Sequence, residues 1–201
     1  NNYLLNTTFE TGAIKTHYAS FMEIENNWFV RNNMYTVWLD NTWRKCRVSS
    51  NVFIDNKHSD IFLELDNNDF TNPTIVDNNI FLRGQSVFKP RAKEVYSWDA
   101  WSSGIYSHDA DGMFIVHNLF AKNGYGIYAK DIFGRRGTAS YRKVIGNIFV
   151  GEKQTSVCFP IEYKNEIKES LQSTIACSAF ALVLSFLVFL YAFLQSGKVA
   201  P

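Results

Sequence analysis

Asn27-Trp28-Phe29, Asn51-Val52-Phe53, Asn79-Ile80-Phe81, Asn118-Leu119-Phe120 and Asn147-Ile148-Phe149 are five copies of one short pattern, and Asn2-Tyr3-Leu4 is a sixth. Each is an Asn, an apolar residue, then Phe or Leu. The leading Asn residues stand 25, 24, 28, 39 and 29 positions apart, so the unit has a fixed kernel and a variable length. Repeats in the twenties with a constant kernel are the mark of a solenoid. Asn tolerates a left-handed backbone and bonds locally, which suits a bend, and the aromatic two places on is expected to point inward and stack on its counterpart.

Second Asn residues at Asn6, Asn32, Asn56 and Asn123 are expected at the exit of the same short strand. Longer alternating runs follow: Ala13-Ile14-Lys15-Thr16-His17, Val37-Trp38-Leu39-Asp40, Ile61-Phe62-Leu63-Glu64-Leu65 and Gly126-Ile127-Tyr128-Ala129-Lys130. Short strands of period two between Asn bends predict an all-β, right-handed parallel β-helix over residues 1–160. A β-sandwich or barrel also has regularly spaced strands, but it gives the recurring kernel no reason to exist.

Within each long run, alternation assigns the faces. Lys15 and His17 point outward if Ile14 and Thr16 point in; Trp38 and Asp40 lie outside against Val37 and Leu39, and Phe62 and Glu64 outside against Ile61 and Leu63. Lys15, Asp40 and Glu64 each stand 13 residues beyond a leading Asn, so the count predicts one outward column of the three. Neighbouring turns stack about 4.8 Å apart. Two carboxylates about 5–5.5 Å apart suit a retaining glycosidase, whereas about 6.5–9.5 Å suits an inverting one. A solvated acidic face screened by Lys15 is the other reading of the same column.

Between Gly84 and Gly112 the repeat is interrupted by Val87-Phe88-Lys89-Pro90-Arg91, Tyr96-Ser97-Trp98-Asp99-Ala100-Trp101 and Tyr106-Ser107-His108-Asp109-Ala110-Asp111-Gly112. Loops that leave a rigid solenoid are frequent binding sites. Trp98 and Trp101 there could carry a sugar or pin the loop. His108 and Asp109 are further polar candidates, and Asp109-Ala110-Asp111-Gly112 could hold calcium. No other metal or cofactor is expected.

A net charge of +1 with dispersed Lys and Arg argues against nucleic-acid binding. The three cysteines, Cys46, Cys158 and Cys177, give no disulfide framework, since Cys46 and Cys158 fall about four turns apart, beyond the roughly 7 Å limit for a bridge. The chain opens inside a repeat with no cap for its first turn, which reads as a piece of a longer protein. After Pro160 a charged stretch, residues 161–174, is expected to be helical from Glu162 to Glu169. The 20 uncharged residues from Ile175 to Leu194 suit a transmembrane helix about 30 Å long, followed by a short tail at 195–201. This organisation implies a single-pass membrane protein with its solenoid outside the cell.

The chain resembles the right-handed parallel β-helix repeat proteins, in particular their carbohydrate-active branch of fucosidase- and xylanase-type glycoside hydrolases. The resemblance covers about residues 1–155 and rests on Glu10 to His17, Val37-Trp38-Leu39-Asp40, Asp60 to Leu65, Val76 to Leu82 and Val116-His117-Asn118-Leu119-Phe120. It implies a polysaccharide or glycan partner and outward acids as catalysts, carried onto Asp40, Glu64 and Asp109. Lys15 and His17 would orient, and Trp38 with Trp98 or Trp101 would form sugar platforms beside His108. A calcium-dependent lyase using Lys89 or Arg91, and a non-catalytic adhesion module, are the alternatives.

Overall fold

The computed structural model describes residues 12–41, 44–66, 71–84, 103–130, 142–153, 157–158, 165–168 and 171–173. These form six turns of three strands. The turns are β1 (Gly12–His17), β2 (Glu23–Glu25), β3 (Trp28–Val30); β4 (Tyr35–Asp40), β5 (Arg47–Ser49), β6 (Val52–Ile54); β7 (Ile61–Asp66), β8 (Thr74–Asp77), β9 (Ile80–Leu82); β10 (Ser103–Ala110), β11 (Met113–Val116), β12 (Leu119–Ala121); β13 (Tyr125–Lys130), β14 (Arg142–Ile145), β15 (Ile148–Val150); and β16 (Val157–Cys158), β17 (Asn165–Lys168), β18 (Leu171–Ser173). Every third strand pairs in parallel, which gives three six-stranded sheets: a long one starting at β1 and two short ones starting at β2 and β3. The fold is a parallel β-helix.

One leading Asn per turn carries the corner between the two short sheets. The Asn27, Asn51, Asn79 and Asn118 amides each donate to the side-chain oxygen of the Asn one turn on, at 2.9, 3.0, 2.9 and 2.9 Å. Their carboxamide Nδ2 atoms repeat the bond at 3.1, 3.1, 3.0 and 3.0 Å. Nδ2 of Asn51, Asn79, Asn118 and Asn147 also donates back to the carbonyls of Ile24, Val48, Val76 and Ile115. A corner cannot close its own ladder bonds, and buried backbone groups must be paired. The carboxamide, with an acceptor and two donors on a short stem, does this without water.

The left-handed residue of this bend is not the ladder Asn, as the sequence reading had it, but the residue before it: Asn26, Ser50, Asn78, His117 and Gly146 all have φ between 54° and 63°. Asn and His are among the side chains that adopt this conformation most readily, and the next position faces the ladder. Gly146 is the exception, since a Cβ would come within 2.6 Å of the His117 ring. Asn32 and Asn56 repeat the ladder at the corner that leads back to the long sheet, at 2.8 Å. In the fourth turn Asn123 accepts from the Gly84 amide at 2.8 Å.

Inside, Phe29, Phe53, Phe81, Phe120 and Phe149 form the single file that the kernel predicted, with centroids 5.0, 4.9, 4.6 and 4.9 Å apart and near-parallel rings. Each contact adds about 0.5–1.5 kcal/mol beyond burial of the ring. Ile24, Val48, Val76, Ile115 and Val144 line the second wall, and Val37, Leu39, Ile61, Leu63, Ile105 and Ile127 the third. The Cys46 thiol is buried in this core, where it donates to the Arg44 carbonyl at 3.4 Å.

Two expectations are corrected. The charged stretch Glu162 to Glu169 contains strand β17, paired in parallel with β14, rather than a helix, and the solenoid's sheets continue past residue 160 to Ser173. Alternating Asn165-Glu166-Ile167-Lys168 suits an added strand once a neighbouring edge is available. The run 175–194, like Asn6, Lys89, Arg91, Trp98 and Trp101, lies outside the described residues; among the described residues no helix is long and apolar enough to cross a membrane.

Two tests follow. Asn79→Ala orphans the buried Asn51 amide donor and should cost about 1–3 kcal/mol or more, measured by urea denaturation, whereas Asn27→Ala, at the exposed start of the ladder, should cost less. Glu152 is held mostly buried beside Asn123, with Oε2 unpaired among the described residues, and burial raises its pKa from 4.5 to about 7. A raised carboxyl pKa gives stability that is full below pH 4.5 and is lost as pH rises through 7. Relative to Glu152→Gln, the native protein should therefore lose up to about 3 kcal/mol over that window.

Candidate functional site

The pairing of the long sheet fixes which outward side chains become neighbours. Its register aligns His17, Asp40, Glu64, His108 and Lys130 in one column and Lys15, Trp38, Phe62, Tyr106 and Tyr128 in the next. Both columns stand on the face opposite Val37, Leu39, Ile61 and Leu63, as alternation requires. A stacked aromatic rib therefore runs beside a file of ionisable groups.

The rib is tight. Trp38 and Phe62 lie 4.8 Å apart, Phe62 and Tyr106 4.7 Å, and the Lys15 ammonium sits 3.5 Å over the Trp38 ring. Trp38 is 1% exposed and Phe62 fully buried. The file is buried at its centre: Glu64 is 3% exposed and His108 0%. Buried charge survives only when paired, and here every carboxylate is. Asp40 Oδ2 lies 2.8 Å from His17 Nε2 and 3.2 Å from Lys15 Nζ. Glu64 Oε2 accepts from the Trp38 indole at 3.0 Å, while its Oε1 lies 3.3 Å from His108 Nε2. On its other side His108 meets Asp109 Oδ2 through Nδ1 at 2.7 Å. Burial, with the Glu64 charge adding to it, raises the Tyr35 phenol far above its ordinary range, so Tyr35 stays neutral.

Asp40 and Glu64 are register neighbours in adjacent turns, as counting from the leading Asn predicted. Lys15 is not their column mate. It pairs with Trp38, and His17 takes the place beside Asp40; the first turn has two more residues between its Asn and this column, so equal counting slipped by one outward position. Lys15 still reaches Asp40 by the length of its side chain. Trp38 cannot serve as a sugar platform, because its ring is sealed between Lys15, Tyr35 and Phe62.

His108 and Asp109 are not loop residues either. They belong to β10, which resumes the long sheet at Ser103. His108 is fully buried, and Asp109, whose backbone has a left-handed φ of 48°, meets its ring through Oδ2. Ile105-Tyr106-Ser107-His108 has the same alternation as Ile61-Phe62-Leu63-Glu64 and could have revealed this from sequence. Counting could not, because the 39-residue interval hides the register. The Trp38–Glu64 bond and the place of Lys130 in the file were not anticipated.

The fold and this file define the chain as a parallel β-helix with a row of ionisable groups, buried at its centre, on its long sheet. The family described as "Periplasmic copper-binding protein (NosD)" matches residues 1–168, and the chain belongs to that family. No curated protein and no solved structure matches it.

The described residues do not form a copper centre. Among the described residues no three His, Cys, Asp or Glu side chains converge on one point. All four histidines and all three methionines of the chain are described. His17 and His108 stand three turns apart in the file, about 14 Å at the usual strand spacing, and the His108 ring lies between Glu64 and Asp109. Of the soft donors copper(I) favours, Met34, Met113 and Cys46 are buried in the hydrophobic interior. Asp109 and Asp111 likewise form no calcium cluster among the described residues.

Proposed function

We propose that this β-helix is a glycoside hydrolase that works outside the cytoplasm, with Asp40 as nucleophile and Glu64 as acid/base. The observation that carries it is the pairing of Asp40 with Glu64 in adjacent strands, which puts two outward acids in register on neighbouring turns. Side chains that rise from Cα atoms one strand spacing apart suit the short carboxyl separation of a retaining enzyme better than the wide one of an inverting enzyme.

The surroundings of the two acids differ, and the difference assigns their roles. Lys15 and His17 both address Asp40 Oδ2, which fixes the carboxylate and turns Oδ1 toward a sugar's anomeric carbon. In the first step Oδ1 forms a bond to that carbon as the glycosidic C–O bond breaks, and Glu64 gives its proton to the departing oxygen. In the second, the Glu64 carboxylate takes a proton from water, whose oxygen displaces Asp40 and releases the sugar. The Trp38 indole positions Glu64 for both steps.

The family's description places its members in the periplasm, which agrees with a glycan substrate outside the cytoplasm. The uncharged run Ile175 to Leu194 supports tethering to a membrane. Copper carriage, the alternative that the family description favours, is opposed by the scatter of donors among the described residues.

The test is kinetic. On 4-nitrophenyl glycosides of the common pentoses and hexoses, Asp40→Asn should abolish turnover at every leaving group. Glu64→Gln should lose about 10²–10⁴-fold on poor leaving groups, and much less on 4-nitrophenolate, which departs without protonation. Wild-type turnover in both variants would remove the assignment.

A further inference from the structure

His108 and Asp109 are buried ionisable groups that the two-step reaction does not consume. The His108 ring lies between two carboxylates at unequal distances: 2.7 Å from Nδ1 to Asp109 and 3.3 Å from Nε2 to Glu64. The short contact has the length of a charge-assisted N–H···O⁻ bond, about 2.7–2.9 Å, and the long one does not. We infer that Asp109 locks His108 in the tautomer protonated at Nδ1, so that the Nε2 lone pair faces Glu64 and holds the catalytic proton on its carboxyl group. This rests on the glycosidase reading for its consequence, though not for its geometry.

The argument is one of proton bookkeeping. With the one ring proton on Nδ1, Nε2 can only accept, so the contact with Glu64 is satisfied when Glu64 carries a proton to donate. The contact is longer than an aligned hydrogen bond, as catalytic contacts often are before a substrate closes the site. After Glu64 has protonated the leaving group, its carboxylate faces a lone pair rather than an N–H. That arrangement favours recapture of a proton, here from the attacking water. If the tautomer were reversed, Nε2–H would stabilise the carboxylate and Glu64 would be a poor acid at neutral pH.

Asp40, the register partner of Glu64 in β4, would also favour the protonated acid, but its own carboxylate is addressed by Lys15 and His17. Lys130 of β13 occupies the next position in the file and would favour an ionised Glu64. Tyr106 on the same strand is held neutral by burial, as is Tyr35, and Phe62 of β7 packs against the ring without charge. Asp109 and His108 are therefore positioning residues that set where the proton rests. Asp109 acts through His108 and never meets the sugar.

The experiment uses the full chain with ¹⁵N-labelled histidine. In the native protein at neutral pH, NMR should show His108 with one protonated nitrogen, Nδ1, and Asp109→Asn should shift the proton toward Nε2. In parallel, the basic limb of the kcat/KM profile on an aryl glycoside with a poor leaving group should move to lower pH in Asp109→Asn by about one unit or more. The acidic limb should stay, and Asp109→Glu should restore the profile in part. A His108 ring protonated at both nitrogens, or a basic limb unmoved in Asp109→Asn, would overturn the inference. If the native protein cleaves no glycoside, the glycosidase reading fails, and the tautomer measurement still decides the relay.

Discussion

The fold depends on the hydrogen bonds of a side-chain amide at a corner. Where a parallel β-helix turns from one sheet to the next, the backbone leaves amides and carbonyls that no strand can pair, and the interior gives them no water. The file Asn27, Asn51, Asn79, Asn118 and Asn147 satisfies them turn by turn. Each carboxamide bonds both neighbours, so the corner also acts as a ruler. A turn may lengthen elsewhere, as between Asn79 and Asn118, but it must return to the same spoke.

That ruler converts sequence into chemistry. With the corner and the phenylalanine file fixed, the long sheet has one register, and the register alone brings His17, Asp40, Glu64, His108 and Lys130 into a file. A one-residue slip in any strand would turn its acid into the apolar interior, at the cost of burying an unpaired charge. The pairing of every acid with an indole, an ammonium or an imidazole is what allows the file to be buried. It also gives the two central carboxylates unlike partners, which is the asymmetry that acid/base chemistry needs.

Much of this was legible in the chain. The Asn-apolar-Phe kernel disclosed the solenoid, because a ladder and a ring stack both demand the same residue in every turn. Alternation gave the faces, and equal counts from Asn27 and Asn51 brought Asp40 beside Glu64. Three things were hidden. The first turn differs in length before the long sheet, so counting misplaced Lys15 for His17. The 39-residue turn masked the return of strand character at Ser103, so His108 and Asp109 read as loop. Burial of an outward face cannot be seen in a one-dimensional pattern, so Trp38 read as a platform when it is packing. The strand at Asn165–Lys168 was missed because its mixed charges suit a helix equally well, and only the open edge of β14 decides between them.

The central claim, that Asp40 and Glu64 are vertical neighbours because the Asn ladder sets the register, can be measured by cross-linking across a short sheet of the same turns. Trp28 and Val52 are register partners in β3 and β6, and neighbouring Cα atoms at strand spacing lie within the 4.4–6.8 Å range of a disulfide. The pair Trp28→Cys with Val52→Cys should oxidise quantitatively, and Trp28→Cys with Ile54→Cys, on the same face but out of register, should not. Efficient bridging of the second pair with none of the first would contradict the register and, with it, the site.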